Sequence, residues 1–194
     1  MSTILAPEPP AIHHEKHKTW TRDGFLISTD PSLISLDALT AAFASDYMYW
    51  AKPLPPADMQ AMIANSLCFG LYTPTPALPP STAPEEESSR PPITRTATTG
   101  SSMIGFARVI TDSVTTVYLT DVYVLPEWQG TGLGRWLIEC VQTVFEGMPH
   151  LRRSFLITGR GGKAVGFYEK FMSMETMDEG RLVAMSWRGA GSIV

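Results

Sequence analysis

Residues 124–137 read VLPEWQGTGLGRWL, and this stretch decides the fold. An apolar, strand-like run that begins at Val122 meets a proline. Three glycines then fall within five residues, at Gly130, Gly132 and Gly134, and an apolar pattern with helical spacing follows. The stretch therefore predicts a strand, a glycine-rich turn and a helix in direct succession.

A glycine-rich turn between a strand and a helix is typical of an anion site. A helix N-terminus carries unpaired N–H groups and a partial positive charge, and glycines remove the side chains that would keep a phosphate away. The competing interpretation is that the glycines only allow a tight turn. A G-x-G-x-x-G dinucleotide fingerprint would need a glycine where Arg135 stands, and the Gly-Lys-Ser/Thr of a P-loop is absent. Neither of these two nucleotide sites is therefore predicted.

The apolar patterns on both sides of this stretch predict a mixed α/β fold. Strands are predicted at residues 24–30, 66–72, 102–112, 115–125, 153–159 and 181–187. Helices are predicted at residues 33–43, 55–63, 136–145 and 164–171. This order gives a central sheet with antiparallel strands first, a parallel strand–helix–strand crossover afterwards, and helices on both faces.

A single domain is predicted, with two polar segments. The chain has 194 residues and 44% hydrophobic residues, which suits one ordinary core. Residues 1–20 predict a flexible tail, and residues 21–194 form the domain. Residues 73–100 inside it are rich in Pro, Ser, Thr and Glu and predict a disordered insertion.

Charge and composition exclude several classes of protein. A net charge of −4 without a basic stripe argues against nucleic-acid binding. There is no apolar run near the roughly 20 residues of a membrane span, and no signal-peptide pattern. Cys68 and Cys140 lie in apolar runs and predict buried thiols. We expect a cytoplasmic protein, with the nucleus as the alternative. We expect no metal site, because His13 and His17 belong to no zincin-like helix with further ligands.

Two motifs carry a resemblance to a known family. QGTGLG at residues 129–134 resembles the Q/R-x-x-G-x-G/A signature of the GNAT superfamily of N-acetyltransferases. AVGFYEKF at residues 164–171 is similar to the superfamily's A-x-x-F/L-Y-E-K motif. Both occur in the family's order with a strand between them, and the resemblance covers about residues 102–172. The chain departs from the family at Met172-Ser173 and in the glycine-rich stretch 158–163, which leaves the local geometry there open.

The resemblance implies acetyl-CoA as the acyl donor. Its pyrophosphate would bind to residues 129–134, which we call the glycine loop. In the family, the strand before the loop bulges and splays from its parallel neighbour, and the thioester lies in the gap. Backbone groups of Val122 and Val124 would pair with the pantetheine arm, and the Val124 N–H would polarise the acetyl carbonyl. The full set of implied cofactor-binding residues is Val122, Tyr123, Val124, Gln129, Gly130, Thr131, Gly132, Leu133, Gly134 and Arg135.

The implied catalytic residues are Tyr168, Asp121 and Tyr118. Tyr168 aligns with the tyrosine that many members use as the general acid for the departing thiolate, and the alternative is a tyrosine that only packs its ring. The general base has two candidates. Asp121 is either the base or an anchor for a neighbouring loop, and Tyr118 with a chain of waters is the competing candidate.

The acceptor site is predicted from the aromatic segment DYMYWAKPLPP at residues 46–56, because the superfamily builds this pocket from its first two helices and their loop. The predicted substrate-binding residues are Tyr47, Tyr49, Trp50 and Thr120. Aromatic rings suit an amine through cation–π contact, and ordinary helix-end packing is the alternative. Strict strand alternation places Tyr118, Thr120 and Val122 on one face, and Leu119, Asp121 and Tyr123 on the other.

The sequence thus predicts transfer of an acetyl group from acetyl-CoA to a small-molecule primary amine, by direct attack in a ternary complex. The alternative is a non-catalytic acyl-CoA-binding or sensing module of the same fold. A nucleotide-binding domain of another class is disfavoured by the failed fingerprints. The resemblance also implies that the chain can form a homodimer, and no nucleic-acid or membrane partner is expected.

Overall fold

A computed structural model describes residues 17–74, 101–160 and 162–177. The strands in these residues are β1 (Thr19–Arg22), β2 (Phe25–Ser28), β3 (Leu67–Tyr72), β4 (Met103–Thr111), β5 (Thr116–Val124) and β6 (Arg153–Phe155). The helices are α1 (Leu36–Phe43), α2 (Pro56–Ala64), α3 (Leu133–Glu146) and α4 (Lys163–Met172). Short 3-10 turns cover Pro31–Leu33, Asp46–Met48 and Pro126–Trp128. The predicted strand at 181–187 and most of the predicted insertion lie outside the described residues.

The strands form one mixed sheet in the order β1-β2-β3-β4-β5-β6. All neighbours are antiparallel except β5 and β6, which are parallel. Parallel neighbours need a long crossover, and α3 supplies it. The predicted α/β fold with an antiparallel front and a parallel pair at the back is confirmed.

Local signals explain where the helices begin. Ser35 caps α1, since its hydroxyl accepts a hydrogen bond of 3.2 Å from the Ala38 N–H. Pro56 occupies the first position of α2, where its missing N–H costs nothing. α3 begins after Gly132, which has a φ of 85° and could not hold that conformation cheaply with a side chain.

Strand β1 corrects the end of the tail predicted at residues 1–20, because Thr19 and Trp20 belong to this strand. Residues 1–16 of that prediction lie outside the described residues. β1 pairs antiparallel with β2, and Asp23 and Gly24 connect them with φ values of 51° and 80°. Asp-Gly is a favoured dipeptide for two-residue hairpin turns, because both positions need a positive φ. This dipeptide was the sequence signal for the hairpin.

The sheet separates two apolar cores. The α3 core lies between the sheet, α3 and α4, with Leu71, Val109 and Leu137 fully buried. The α1/α2 core lies on the opposite face, with Phe106 and Met59 near its centre. Cys68 and Cys140 are both free and buried, as predicted. Burial raises the pKa of each thiol to about 12, so both cysteines serve packing rather than chemistry.

Candidate active site

The glycine loop forms one wall of a cavity of about 240 Å³. The other walls are Val124 at the end of β5 and Phe167 of α4. Gly130 and Gly132 adopt left-handed conformations, with φ values of 77° and 85°. Together they turn the chain so that the first backbone N–H groups of the 14-residue helix α3 lie at the cavity. The predicted loop at a helix N-terminus is thus present, and its chemistry suits an anion.

Two side chains of the predicted cofactor set hold the loop in shape. The Gln129 side-chain amide donates a hydrogen bond of 2.9 Å to the Val124 carbonyl oxygen. The Thr131 hydroxyl donates one of 2.7 Å to the Trp128 carbonyl oxygen. The sequence motif therefore includes residues that tie the loop to the end of β5 and to itself.

The first turn of α3 contains a buried leucine, a glycine with space beside it and an exposed arginine. Leu133 is buried in the α3 core. A Cβ added at Gly134 would lie 3.7 Å from Val124 Cγ2, an ordinary contact, so neither packing nor backbone conformation demands glycine there. Arg135 is exposed, pairs with Glu139 at 2.6 Å and lies over the Phe171 ring.

The strands β5 and β6 pair over only three residues, from Thr116↔Arg153 to Tyr118↔Phe155. Beyond Tyr118, β5 continues to Val124 without a parallel neighbour among the described residues. The Leu125 N–H donates to Ile104 of β4, so alternation along the strand directs the N–H and C=O of Val124 away from β4. The Val124 N–H therefore points into the gap, next to the glycine loop.

A bulge interrupts β5 at Asp121. β5 has one residue more than β4 between the register pairs Phe106↔Tyr123 and Arg108↔Thr120. Asp121 takes the left-handed conformation with a φ of 51°, which Asp tolerates better than most residues. The bulge lies three residues beyond Tyr118, the last residue of β5 that pairs with β6. A bulge of this kind increases the local bend of the strand.

The extra residue corrects the predicted faces of β5. Leu119 and Val122 both contact the α3 core, and Tyr123 belongs to the α1/α2 core. The predictions that Leu119 shares a face with Tyr123, and that Val122 faces away from Leu119, are therefore wrong. Strict alternation holds only without a bulge, because an inserted residue inverts the order of side chains beyond it.

Asp121 forms a buried ion pair. Its Oδ2 lies 2.6 Å from Nε of Arg108, and the two side chains are 8% and 14% exposed. The Thr120 hydroxyl donates to Oδ1 at 3.3 Å, and Arg108 also donates to Ser66 Oγ at 3.3 Å. Both carboxylate oxygens are thus engaged, which gives Asp121 an anchoring contact at the bulge. Its role as a base stays a prediction.

Arg108 was missed by the sequence reasoning. It is the charged residue in the apolar strand β4, and β5 carries Asp121 as its charged residue. One cation and one anion on neighbouring apolar strands are the sequence signal that could have predicted this ion pair. The other base candidate, Tyr118, forms the last register pair with β6 and is half-buried at the mouth of the gap.

Tyr168 lies on α4 and packs against the α3 core. Its ring meets Phe167 edge-on, with ring centroids 5.3 Å apart. Burial raises the pKa of its phenol to about 12. The helix ends at Ser173, which has a φ of 52° in the cap position that usually holds glycine. Where the sequence departs from the family motif, Ser173 therefore ends the helix in the left-handed conformation.

The aromatic segment lies over the α1/α2 core and reaches the loop after β6. The rings of Tyr47 and Tyr123 are 6.1 Å apart, and Tyr49 meets Trp50 edge-on at 4.9 Å. A Cβ added at Gly159 would lie 3.4 Å from the Tyr49 hydroxyl. Tyr49, which is 61% exposed and follows the 3-10 turn Asp46–Met48, therefore lies beside the loop after β6. Of the predicted acceptor side chains in this segment, Tyr47 contacts β5 through Tyr123. Tyr49 contacts the loop after β6, and Trp50 packs against the α1/α2 core.

The described residues contain no cluster of three or more His, Cys, Asp or Glu side chains that could hold a metal ion. Within the same part of the chain, none of the helices is both long and apolar enough to cross a membrane.

Comparison with known proteins identifies the family. A family model described as an acetyltransferase (GNAT) domain matches residues 96–171. A Gibberella zeae protein to which acetyltransferase activity is ascribed is 41% identical over 147 residues, covering 76% of this chain and 78% of the relative.

Solved structures agree with this match. A Xanthomonas campestris protein assigned to the GNAT family is 28% identical, with a TM-score of 0.57 over 82% of this chain and 93% of that chain. A GNAT-family protein from Streptococcus pneumoniae shares the fold at 17% identity, with a TM-score of 0.54 over 86% and 97% of the two chains. With this relative, this family model and this fold, the chain belongs to the GNAT superfamily of acetyltransferases.

Proposed function

We propose that the protein transfers an acetyl group from acetyl-CoA to a primary amine of a small molecule, by direct attack in a ternary complex. The observation that carries this proposal is the glycine loop beside the open side of β5. One extended ligand can hold its phosphates at the start of α3 and its thioester in the gap. Acetyl-CoA supplies a thioester as the activated acyl group, and the residues of the chain bind it and handle protons.

Gly134 supports the fit of a phosphate at the loop. A glycine inside a helix costs about 1 kcal/mol relative to alanine. Gly134 has room for a methyl group and needs no left-handed conformation, so the free chain has no use for the glycine. A ligand that approaches the backbone closely explains a small residue here, since a side chain larger than a methyl group would intrude on the cavity that Gly134 lines.

The Val124 N–H is the proposed donor to the acetyl carbonyl oxygen. It points into the gap, at the end of the strand that leads into the glycine loop. Negative charge develops on the carbonyl oxygen as the amine attacks, and a backbone N–H needs no reorganisation to meet it. Such a donor lowers the activation free energy by about 3 kcal/mol.

Tyr168 is the proposed general acid. As the amine nitrogen forms its bond to the acyl carbon, the carbon–sulfur bond breaks and the thiolate takes the Tyr168 proton. Solvent then restores that proton. Because burial raises the pKa of this phenol to about 12, the acid form persists through the whole working pH range. We therefore expect no alkaline decline in turnover from Tyr168 below about pH 11.

Replacing Tyr168 with phenylalanine tests this role. We expect Tyr168→Phe to lower kcat roughly 100-fold, the low end for acid catalysis, because a phenol of raised pKa is a weak donor. Coenzyme affinity should stay within a few-fold, since the ring remains. Thiol release and calorimetric binding measure the two quantities.

Tyr72→Phe is the matched control for Tyr168→Phe. The Tyr72 hydroxyl is buried without a hydrogen-bond partner among the described residues, and its loss should leave turnover unchanged. Full turnover by Tyr168→Phe would remove the acid role and leave a tyrosine that only packs.

The proton of the attacking amine has two proposed routes. Asp121 has both carboxylate oxygens engaged by Arg108 and Thr120, which favours its anchoring role. Tyr118 lies where β5 and β6 separate, so water next to it has access to the gap. We favour removal of the proton by water near Tyr118, with Asp121 holding the bulge.

The proposed acceptor site lies between Thr120 of β5 and the aromatic segment that carries Tyr47, Tyr49 and Trp50. An amine with an apolar body suits these rings, because a cation is attracted to the ring face while it waits to lose its proton. A strongly basic peptide would instead suit an acidic groove, and the run of three acidic residues in the sequence, at 85–87, lies in the predicted insertion.

The second candidate function is a non-catalytic acyl-CoA-binding module. One observation favours it: the ion-paired Asp121 leaves the described part of β5 without a free carboxylate to act as base. A binding module would hold acyl-CoA at the same loop and gap, but it would release no thiol.

The deciding experiment is release of free CoA thiol from acetyl-CoA in the presence of amines. The panel contains arylalkylamines, polyamines, amino sugars, amino acids and lysine peptides, with a no-amine control. Amine-dependent release supports the enzyme and gives the acceptor class. Tight acetyl-CoA binding with no release from any amine supports the binding module instead.

A further inference from the structure

Arg22 connects the edge of the sheet to the glycine loop. It is the last residue of β1, far from the loop in sequence. Its guanidinium donates a hydrogen bond of 3.2 Å to the Gly132 carbonyl oxygen, across 110 residues of chain. The guanidinium carbon also lies 4.7 Å from the ring centroid of Trp136, one turn further along α3. Two contacts thus fix the cation at the start of this helix.

Strand β2 of the same hairpin contacts the 3-10 turn that precedes the glycine loop. Phe25, the first residue of β2, meets Trp128 edge-on, with ring centroids 5.6 Å apart. The hairpin therefore contacts the chain on both sides of residues 129–131 of the loop. It also lies outside residues 96–171, which the family model matches.

The charge of Arg22 has the wrong sign for a helix N-terminus without an anion. The dipole of α3 is positive at this end, so acidic side chains are the usual stabilising residues there. The first turn of α3 has no acidic residue, and it carries Arg135 instead. Arg135 pairs with Glu139, whereas no carboxylate in the described segments pairs with Arg22.

We infer that Arg22 is a coenzyme-binding residue, whose guanidinium attracts the phosphate groups of CoA held at the loop. The inference rests on the proposed function, and it adds a residue from the edge hairpin to the site. A guanidinium has five N–H donors, and the bond to Gly132 uses one of them. The stacking on Trp136 holds the group in place before the ligand arrives, so little entropy is lost on binding.

Two substitutions separate the charge of Arg22 from its bracing of the loop. Arg22→Gln keeps an N–H donor for the Gly132 carbonyl but removes the charge. Arg22→Lys keeps the charge but loses the planar fork. Arg153→Gln is the matched control, because Arg153 is an exposed cation and the first residue of β6, which pairs with the start of β5, far from the loop.

We expect Arg22→Gln to weaken CoA binding about tenfold at about 0.02 M salt, and this loss to shrink to about twofold at 0.5 M salt, because salt screens exposed charges. Arg22→Lys should bind within about threefold of the unmodified protein, by retaining the charge. Arg153→Gln should bind CoA and turn over as the unmodified protein does, and Tm should be unchanged in all three variants. Calorimetry with CoA and with dephospho-CoA measures the affinities.

The two ligands distinguish which phosphate Arg22 contacts. An equal loss for CoA and dephospho-CoA assigns Arg22 to the pyrophosphate, and a loss confined to CoA assigns it to the 3′-phosphate. Unchanged affinity in Arg22→Gln overturns the inference while the coenzyme site stands. Equal, salt-independent losses in both Arg22 variants, with a lower Tm, overturn it in favour of a structural brace. If the unmodified protein binds no CoA, both the proposed function and this inference are wrong.

Discussion

Replacing Gly132 with valine should abolish coenzyme binding, with a loss of at least a hundredfold. Gly132 has a φ of 85° and is the N-cap of α3. A β-branched side chain in this left-handed conformation costs of order 1–3 kcal/mol, so the loop would rearrange or the helix start would shift. The valine would also place methyl groups at the cavity wall that Gly132 forms. Calorimetric titration with CoA measures the effect.

Gly134→Ala is the informative companion to Gly132→Val. Gly134 lies within α3 and has space for a methyl group. Alanine should therefore stabilise the fold by about 0.5–1 kcal/mol, since it is the better helix residue. The same methyl should change CoA affinity by no more than a few-fold, because the family motif accepts glycine or alanine at this position. Unaltered CoA binding in Gly132→Val would contradict the proposed anion site, and Gly134→Ala serves as its control.

Replacing Asp121 with asparagine should lower the free energy of unfolding by about 3–5 kcal/mol, because it leaves the buried Arg108 guanidinium without its partner. Asparagine accepts the left-handed conformation well, so the bulge geometry at a φ of 51° is retained and the charge is the main change. Denaturant titration measures the loss.

Arg108→Met combined with Asp121→Asn is the control. Removing both charges should recover much of the stability, since it eliminates the unpaired buried cation. Activity separates the two roles of Asp121. If it anchors the bulge, the folded fraction of Asp121→Asn should keep most of its kcat. A large kcat loss with unaltered stability would make Asp121 the base.

The glycine motif allowed the part of the fold around it to be predicted, because its signals are local. The strand, loop and helix from residue 116 to 146 follow from apolar periodicity and glycine positions, and α4 followed from its own motif. The side chains that tie distant parts together were not predicted. The Arg22 contact with Gly132 spans 110 residues and depends on strand β1, whose residues Thr19 and Trp20 were predicted to belong to the tail.

The faces of β5 show a second reason why sequence reasoning failed. A bulge leaves no composition signal, since Asp121 looks like any acidic residue in a strand. Only the register with β4 shows that Leu119 and Tyr123 lie on opposite faces. The burial of Asp121 against Arg108 likewise depends on how two strands pair, which a periodicity argument does not specify.

The short pairing between β5 and β6 has a consequence for inhibitor chemistry. Beyond Tyr118, β5 has no parallel neighbour among the described residues, and an unpaired strand edge normally pairs with another strand. In this chain the edge lies beside the cavity, where Phe167 of α4 and the glycine loop limit access. A compound with a slim, extended amide backbone could add to this edge as a strand does, and an anionic group at one end would then reach α3. The fold therefore favours linear, peptide-like inhibitors over flat aromatic ones.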